Sequence, residues 1–125
     1  MVDPVVRLAD RGKPHTCITV ANGLRREILC GSLPPRSRLP SIRALARELK
    51  VAPGTVKAAY AALIVEGLLV ASIAGTFVNP GDEVERARWR EIDLRVSALS
   101  QSLRDSGFLD REIYLAFSRI GGRVL

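Results

Sequence analysis

The sequence of 125 residues is poor in the side chains from which catalytic and metal sites are built. It contains one histidine, two cysteines and one tryptophan. One histidine and two cysteines are too few soft ligands for a zinc centre. The sequence also has no paired carboxylates in a catalytic setting and no glycine-rich loop for phosphates. We therefore expect no enzymatic activity, no metal and no other cofactor.

The two cysteines are too far apart for a disulfide bond. Cys17 and Cys30 are expected at opposite ends of one helix, thirteen residues apart. A rise of about 1.5 Å per residue separates them by about 20 Å, which is beyond disulfide reach. We expect both to be small packing residues.

Long apolar runs are also missing. No stretch of about 18 apolar residues is present, so no transmembrane helix is expected. The first fifteen residues, MVDPVVRLADRGKPH, carry charges of both signs and lack the apolar core of a signal peptide. The sequence therefore predicts a cytoplasmic protein with no membrane partner.

The positive charge lies in one part of the chain. The net charge is +6; residues 1–80 contain eleven Arg or Lys and five Asp or Glu, and residues 81–125 contain eight of each. An excess of this kind is typical of a surface that attracts phosphates, although a solvated basic surface gives the same count.

Two short helical patterns are separated by three residues. The first follows Ser41, a suitable N-cap. The second begins at Pro53, which suits a first turn, and ends before Gly67. Their apolar residues recur at the spacing of one helix face: Ile42, Leu45, Ala46 and Leu49, then Val56, Ala59, Tyr60 and Leu63. So short a break forces the helices to cross, which predicts a helix-turn-helix.

A further helix and a hairpin flank this motif. The helix is expected from Thr16 to Gly31, and the hairpin pairs Leu68–Ala71 with Thr76–Val78; Arg38-Leu39 can add a third short strand. The apolar stripe of the helix is Ile18, Ala21, Leu24 and Ile28. The pattern is that of a winged helix, a mostly helical fold with a small β component.

The motifs LPSIRALARELKV, PGTVKAAYAAL, EGLL and GTFV appear in this order. They closely resemble the DNA-binding domain of GntR-family transcription regulators, over roughly residues 18–78. The resemblance implies a sequence-specific regulator with double-stranded DNA as its partner. The family's DNA-facing positions correspond here to Arg43, Gly54, Thr55, Lys57, Gly75 and Thr76.

Two departures from the family pattern remove polar contacts. The wing turn Ser72-Ile73-Ala74-Gly75 carries no charge, where relatives usually have basic residues. Ala52 stands where relatives have a side chain that caps the helix or touches DNA. An alternative is therefore a winged helix used for protein–protein assembly, without sequence-specific DNA binding.

The turn Asn79-Pro80-Gly81 divides the predicted domains. Residues 1–14 are expected to be a flexible arm, residues 15–80 the winged helix-turn-helix, and residues 81–125 a two-helix dimerisation region. One helix starts at Asp82 and is closed by Gly107; the other starts at Asp110 and is stopped by Gly121-Gly122. Spacings of three and four define an apolar seam. It comprises Trp89, Ile92, Val96, Leu99 and Leu103, joined by Ile113 and Phe117.

Two helices of this size cannot enclose much apolar surface alone. The arrangement resembles the short-tailed, YtrA-like branch of the family, whose two-helix C-terminal part makes a dimer. This implies a homodimer on a palindromic operator, acting as a repressor, the commoner behaviour in such families. Alternatively, the pair packs against its own winged helix. A small-molecule effector, if one binds, would lie between the C-terminal helices or at the dimer interface.

Overall fold

The computed structural model describes residues 15–124, with side chains through residue 121. The predicted arm, residues 1–14, lies outside the described residues. The fold class is confirmed: the elements are mostly helical, with one two-stranded antiparallel sheet. They are α1 (Cys17–Leu29), α2 (Ile42–Leu49), α3 (Pro53–Val65), β1 (Leu69–Ser72), β2 (Gly75–Val78), α4 (Glu83–Asp105) and α5 (Asp110–Val124). The chain forms two compact units, which meet between Arg88 and Trp89 within α4.

Helix α1 begins with a capping box. The Thr16 hydroxyl accepts a hydrogen bond from the Thr19 amide at 3.2 Å, and the Thr19 hydroxyl accepts one from the Thr16 amide at 2.8 Å. The predicted stripe is wrong at one position, because Ile18 is 67% exposed and Val20 is buried. At 100° per residue, Ile18 lies about 120° around the helix from Leu24 and about 60° beyond Ala21, at the edge of the buried stripe.

The cysteines of α1 also differ from the prediction. Cys17 and Cys30 are both free and exposed rather than packed in the core. Cys17 is the first residue of the helix, and Cys30 follows its last turn. Both positions are therefore beyond the part of α1 that the core covers.

The turn between α2 and α3 has the predicted length. Ser41 caps α2 by accepting a hydrogen bond from the Ala44 amide at 3.1 Å. The helix ends at Lys50, whose φ of 57° is left-handed. Ala52 is the N-cap of α3 and makes no side-chain cap bond, and Pro53 occupies the first turn as predicted.

Helix α3 is the centre of the core of the first unit. Both α1 and α2 pack against it. The four apolar residues predicted for its inner face are all buried: Val56, Ala59, Tyr60 and Leu63. Val84, in the first turn of α4, is buried in the same cluster. The compact unit therefore extends past the boundary expected near Pro80.

The hairpin confirms the predicted wing, although β1 is shifted by one residue, from Leu68–Ala71 to Leu69–Ser72, and β2 begins one residue earlier, at Gly75. Leu69 is opposite Val78, and Ser72 is opposite Gly75, so Ile73 and Ala74 form the turn. The expected third strand is present as a single antiparallel bridge between residues 38 and 77.

The second unit contains most of α4 and all of α5. Gly107, with φ of 95°, follows α4 as predicted, and α5 starts at Asp110. The prediction that Gly121-Gly122 stops α5 is wrong, because the helix continues to Val124. Glycine weakens a helix interior by only about 1 kcal/mol, so two glycines do not by themselves end one. No helix among the described residues is long and apolar enough to cross a membrane.

Candidate nucleic-acid interface

Helix α3 presents one face of small side chains and one cation. Gly54, Lys57, Ala58 and Ala61 recur at i, i+3, i+4 and i+7, and all four are exposed. The residues of the opposite face are buried in the core. The exposed face of α3 is therefore shaped for close approach to another surface.

The first turn of α3 is uncovered. Pro53 and Gly54 are exposed, and Thr55 is half-buried. A Cβ atom built on Gly54 would meet no atom within 4 Å, so the fold itself does not require glycine there. Small side chains leave the backbone of this turn accessible.

Arg43 lies in the first turn of α2 and is exposed. The buried residues of α2 are Leu45, Ala46 and Leu49, so the core takes the other side of the helix. Within residues 15–121, the guanidinium of Arg43 makes no hydrogen bond or ion pair. Arg43 is available to an outside acceptor.

The cations of the helix-turn-helix are not neutralised by carboxylates. Between residues 36 and 57 there are six Arg or Lys and one acid, Glu48, a net charge of +5. None of the six forms an ion pair among the described side chains; they are Arg36, Arg38, Arg43, Arg47, Lys50 and Lys57. Elsewhere, four arginines are paired with acids: Arg25, Arg86, Arg95 and Arg104. The net positive charge of the chain is therefore concentrated on α2, the start of α3 and the segment before α2.

The wing carries Gly75 and Thr76 at the start of β2. Gly75 has φ of 133°, in the region that favours glycine. Thr76 is half-buried, and Ile73 at the turn is fully exposed. All six residues predicted to face DNA thus belong to elements of the first unit.

Sequence reasoning missed one cation next to the wing. It considered Arg38 only as part of a short strand. In the structure the side chain of Arg38 lies beside Gly75. No local sequence signal indicates this contact, because it joins residues 37 positions apart.

Tyr60 connects α3 to the segment before α2. Its hydroxyl donates a hydrogen bond of 2.7 Å to the carbonyl oxygen of Pro40. Burial raises the pKa of the Tyr60 phenol well above its ordinary value, and the nearby negative charge of Glu48 raises it further. Tyr60 is therefore a neutral donor that connects α3 to Pro40, two residues before α2.

The seam residues of α4 are accessible in the single chain. Trp89, Ile92, Val96 and Leu99 are 40–56% exposed, and Phe117 of α5 is 37% exposed. Leu103 is half-buried and Ile113 is buried. The apolar seam predicted from the sequence is thus present, except that Ile113 offers little surface.

No group of three or more His, Cys, Asp or Glu suited to a metal ion occurs within the described part of the chain. The described residues of the site offer cations, small side chains and exposed backbone. Exposed cations of this kind favour an anionic partner.

Comparison with known proteins gives a family match over the first unit. Residues 18–78 match the model of bacterial regulatory proteins of the gntR family. The chain is 32% identical to YtrA from Sulfolobus acidocaldarius, a GntR-family transcription factor, with a TM-score of 0.54; the match covers 75% of this chain and 98% of that one.

Two further solved structures share the fold. A transcriptional regulator from Oenococcus oeni has a TM-score of 0.75 at 22% identity, covering 88% of this chain and 92% of that one. A GntR-family transcriptional regulator from Listeria monocytogenes has a TM-score of 0.70 at 20% identity, covering 88% and 97%. The family match covers α1, the helix-turn-helix and the hairpin, and YtrA is 32% identical over 98% of its length; the chain therefore belongs to the GntR family of DNA-binding transcription regulators.

Proposed function

We propose that the protein is a YtrA-like repressor that binds a palindromic operator as a homodimer. The exposed face of α3 enters the major groove, and Arg43 of α2 contacts the flanking backbone or a guanine edge. Lys57 and Thr55 supply polar contacts from α3, while Gly54, Gly75 and Thr76 let backbone approach the DNA closely. Residues 15–80 carry DNA binding, and residues 81–125 carry dimerisation.

The observation that carries DNA binding is the unpaired charge of the helix-turn-helix. Residues 36–57 hold five of the six net positive charges, and none of their cations is satisfied by an acid among the described residues. Exposed, unpaired cations concentrated in one short segment favour a polyanionic partner. Phosphates of a duplex provide such a partner in a regular array.

The observation that supports the homodimer is the apolar seam. Four large side chains on α4, from Trp89 to Leu99, are about half exposed. Soluble monomers rarely expose a continuous apolar patch of this kind. A second copy of the chain, with the same seam, would cover it and would place two recognition helices on two half-sites. An effector, if there is one, would act at this interface.

Selection of bound duplexes from a random DNA library tests the whole proposal. The expected result is one enriched inverted repeat, with half-sites about one helical turn apart. Affinity for that repeat should fall steeply as salt rises. A reporter gene with the repeat in its promoter should be silenced by the protein. Enrichment of no sequence would contradict the proposal.

A protein–protein assembly module is the second candidate. The alanines on the exposed face of α3 and the exposed Ile73 of the wing favour it, since they offer apolar contact without charge. The two functions differ in their response to salt. An apolar protein contact is insensitive to moderate salt, whereas a phosphate contact weakens strongly.

A further inference from the structure

The turn of the wing has no charged side chain, but a cation lies next to it in space. Arg38 precedes α2, and its backbone is attached to β2 by an antiparallel bridge to Phe77. The Leu39 amide donates to the Thr76 carbonyl oxygen at 2.8 Å, and the Val78 amide donates to the Ser37 carbonyl oxygen at 2.8 Å. These bonds hold Arg38 beside the first residues of β2.

The side chain of Arg38 lies over the backbone of Gly75. A Cβ atom placed on Gly75 would be 3.0 Å from Nε of Arg38, 3.4 Å from its Nη2 and 3.5 Å from its Cζ. A Cβ atom at position 75 would therefore push the guanidinium away by a few tenths of an ångström. Gly75 has two reasons to be glycine: its φ of 133° and the space that Arg38 occupies.

The guanidinium of Arg38 forms no ion pair with a carboxylate among the described residues. Arg38 is exposed, and within the described part of the chain it makes no side-chain hydrogen bond or ion pair. A guanidinium held against bare backbone but facing solvent has donors free for an external anion. Its planar fork matches the oxygens of a phosphate group.

We infer that Arg38 is the phosphate-binding residue of the wing, and that Gly75, which has no side chain, leaves the space that the Arg38 guanidinium occupies. This rests on the proposed DNA-binding function and deepens it. The charge that relatives place in the wing turn is here supplied from the strand segment before α2. The wing thus contacts the DNA backbone although Ile73 and Ala74 carry no charge.

The test compares Arg38→Ala with Arg26→Ala on the full-length protein. Arg26 is an exposed cation near the end of α1, outside the helix-turn-helix and the hairpin. The probes are the duplex enriched from the random library and a scrambled duplex of the same length. Removing Arg38 should weaken binding roughly tenfold per half-site, because a hydrogen bond to a charged group is lost. The slope of log affinity against log salt should fall by about 1 per protomer.

The expected loss is the same factor on both duplexes, because phosphates carry no sequence information. Arg38→Lys should restore the salt slope but not the full affinity, since lysine keeps the charge and lacks the fork. Arg26→Ala should leave both quantities unchanged. If Arg38→Ala behaves like Arg26→Ala, the inference is overturned. A loss confined to the enriched duplex would also overturn it, in favour of a base contact.

A second set of variants tests the role of Gly75. Gly75→Ala should weaken binding more in the native background than in the Arg38→Ala background, because only the native background has a guanidinium to displace, whereas the backbone strain at φ of 133° is common to both. Equal losses in both backgrounds would show that Gly75 acts without Arg38. If the unmodified protein binds neither duplex, the proposed function fails together with this inference; binding that ignores position 38 rejects the inference alone.

Discussion

The hydroxyl of Tyr60 donates a 2.7 Å hydrogen bond to the carbonyl oxygen of Pro40. Tyr60 is in the middle of α3, and Pro40 comes two residues before α2 begins. The bond therefore joins α3 to the segment that leads into α2, the helix that carries Arg43. Tyr60 is buried and Pro40 is half-buried, so the bond is partly shielded from water.

Tyr60→Phe should lower the free energy of unfolding by about 1 kcal/mol. The change keeps the ring in the core but leaves the Pro40 carbonyl oxygen without its donor, and a lost neutral hydrogen bond costs roughly that much. Chemical denaturation at pH 7 measures it. An unchanged midpoint would mean that the bond makes no net contribution.

The same residue gives a pH dependence. Because the phenol pKa is raised in the folded state, the unfolded chain loses its Tyr60 proton first as pH rises. The contribution of Tyr60 to stability is therefore fully present below about pH 10, the ordinary tyrosine value, and is lost above it. The difference in unfolding free energy between the native protein and Tyr60→Phe should shrink as pH rises past 10. A constant difference from pH 7 to 11 would contradict the raised pKa.

Arg43→Ala and Lys57→Ala should each weaken DNA binding without unfolding the protein. Both side chains are exposed, and such surface changes usually alter stability by less than about 0.5 kcal/mol. A lost bidentate base contact at Arg43 costs about 1–3 kcal/mol. Fluorescence anisotropy with the selected duplex measures affinity, and Arg26→Ala is the charge-matched control. Unchanged affinity in both variants would reject this docking mode.

Gly54→Ala separates stability from binding. Nothing lies within 4 Å of the added Cβ atom, and Gly54 is in the first turn of α3. Alanine should therefore raise the free energy of unfolding, by up to about 1 kcal/mol. If the DNA backbone approaches this turn closely, affinity should fall although the protein is more stable. Stability and affinity that rise together would place Gly54 away from the DNA.

Ile73→Arg or Ala74→Arg should tighten binding to any duplex and steepen its salt dependence. The turn is exposed, and on the proposed docking a new cation there would lie near DNA phosphates. The gain should be equal for enriched and scrambled duplexes. A gain that salt does not change would put the wing tip away from the DNA backbone.

Val96→Asp or Leu99→Asp should convert the proposed homodimer to monomers. Each places a charge in the apolar seam, where burying one large side chain is worth roughly 1.5–3 kcal/mol. Ser97→Asp adds the same charge to an exposed position beside the seam and should leave the dimer intact. Light scattering gives the mass of each variant. A native protein that is monomeric would instead favour packing of the two C-terminal helices within the chain.

The helices and hairpin were predictable because their signals are local. Ser41 and Thr16 are caps that act within three residues, and the inner face of α3 follows from spacing alone. The C-terminal end of α5 was not predictable, because Gly121-Gly122 weakens a helix without ending it. The prediction for α1 put Ile18 in the core, because spacing identifies a stripe but not where its edge lies.

Contacts between residues that are far apart in the chain could not be predicted from the sequence. The six DNA-facing positions came from family resemblance, and they remain predictions. Arg38 was overlooked, since its partner Gly75 is brought close only by the pairing of the segment before α2 with β2. The left-handed backbone of Lys50 was also not foreseen, because lysine gives no signal for that conformation.

The small side chains on the exposed face of α3 have an entropic consequence. Alanine and glycine have no rotamers to lose when they are buried, whereas arginine or lysine loses about 1.5–2 kcal/mol of conformational freedom. Of Gly54, Lys57, Ala58 and Ala61, only Lys57 has such freedom to give up. On the proposed docking, most of this face enters a groove without an ordering cost. An arginine introduced at Ala58 or Ala61 would therefore add less affinity than its charge alone suggests.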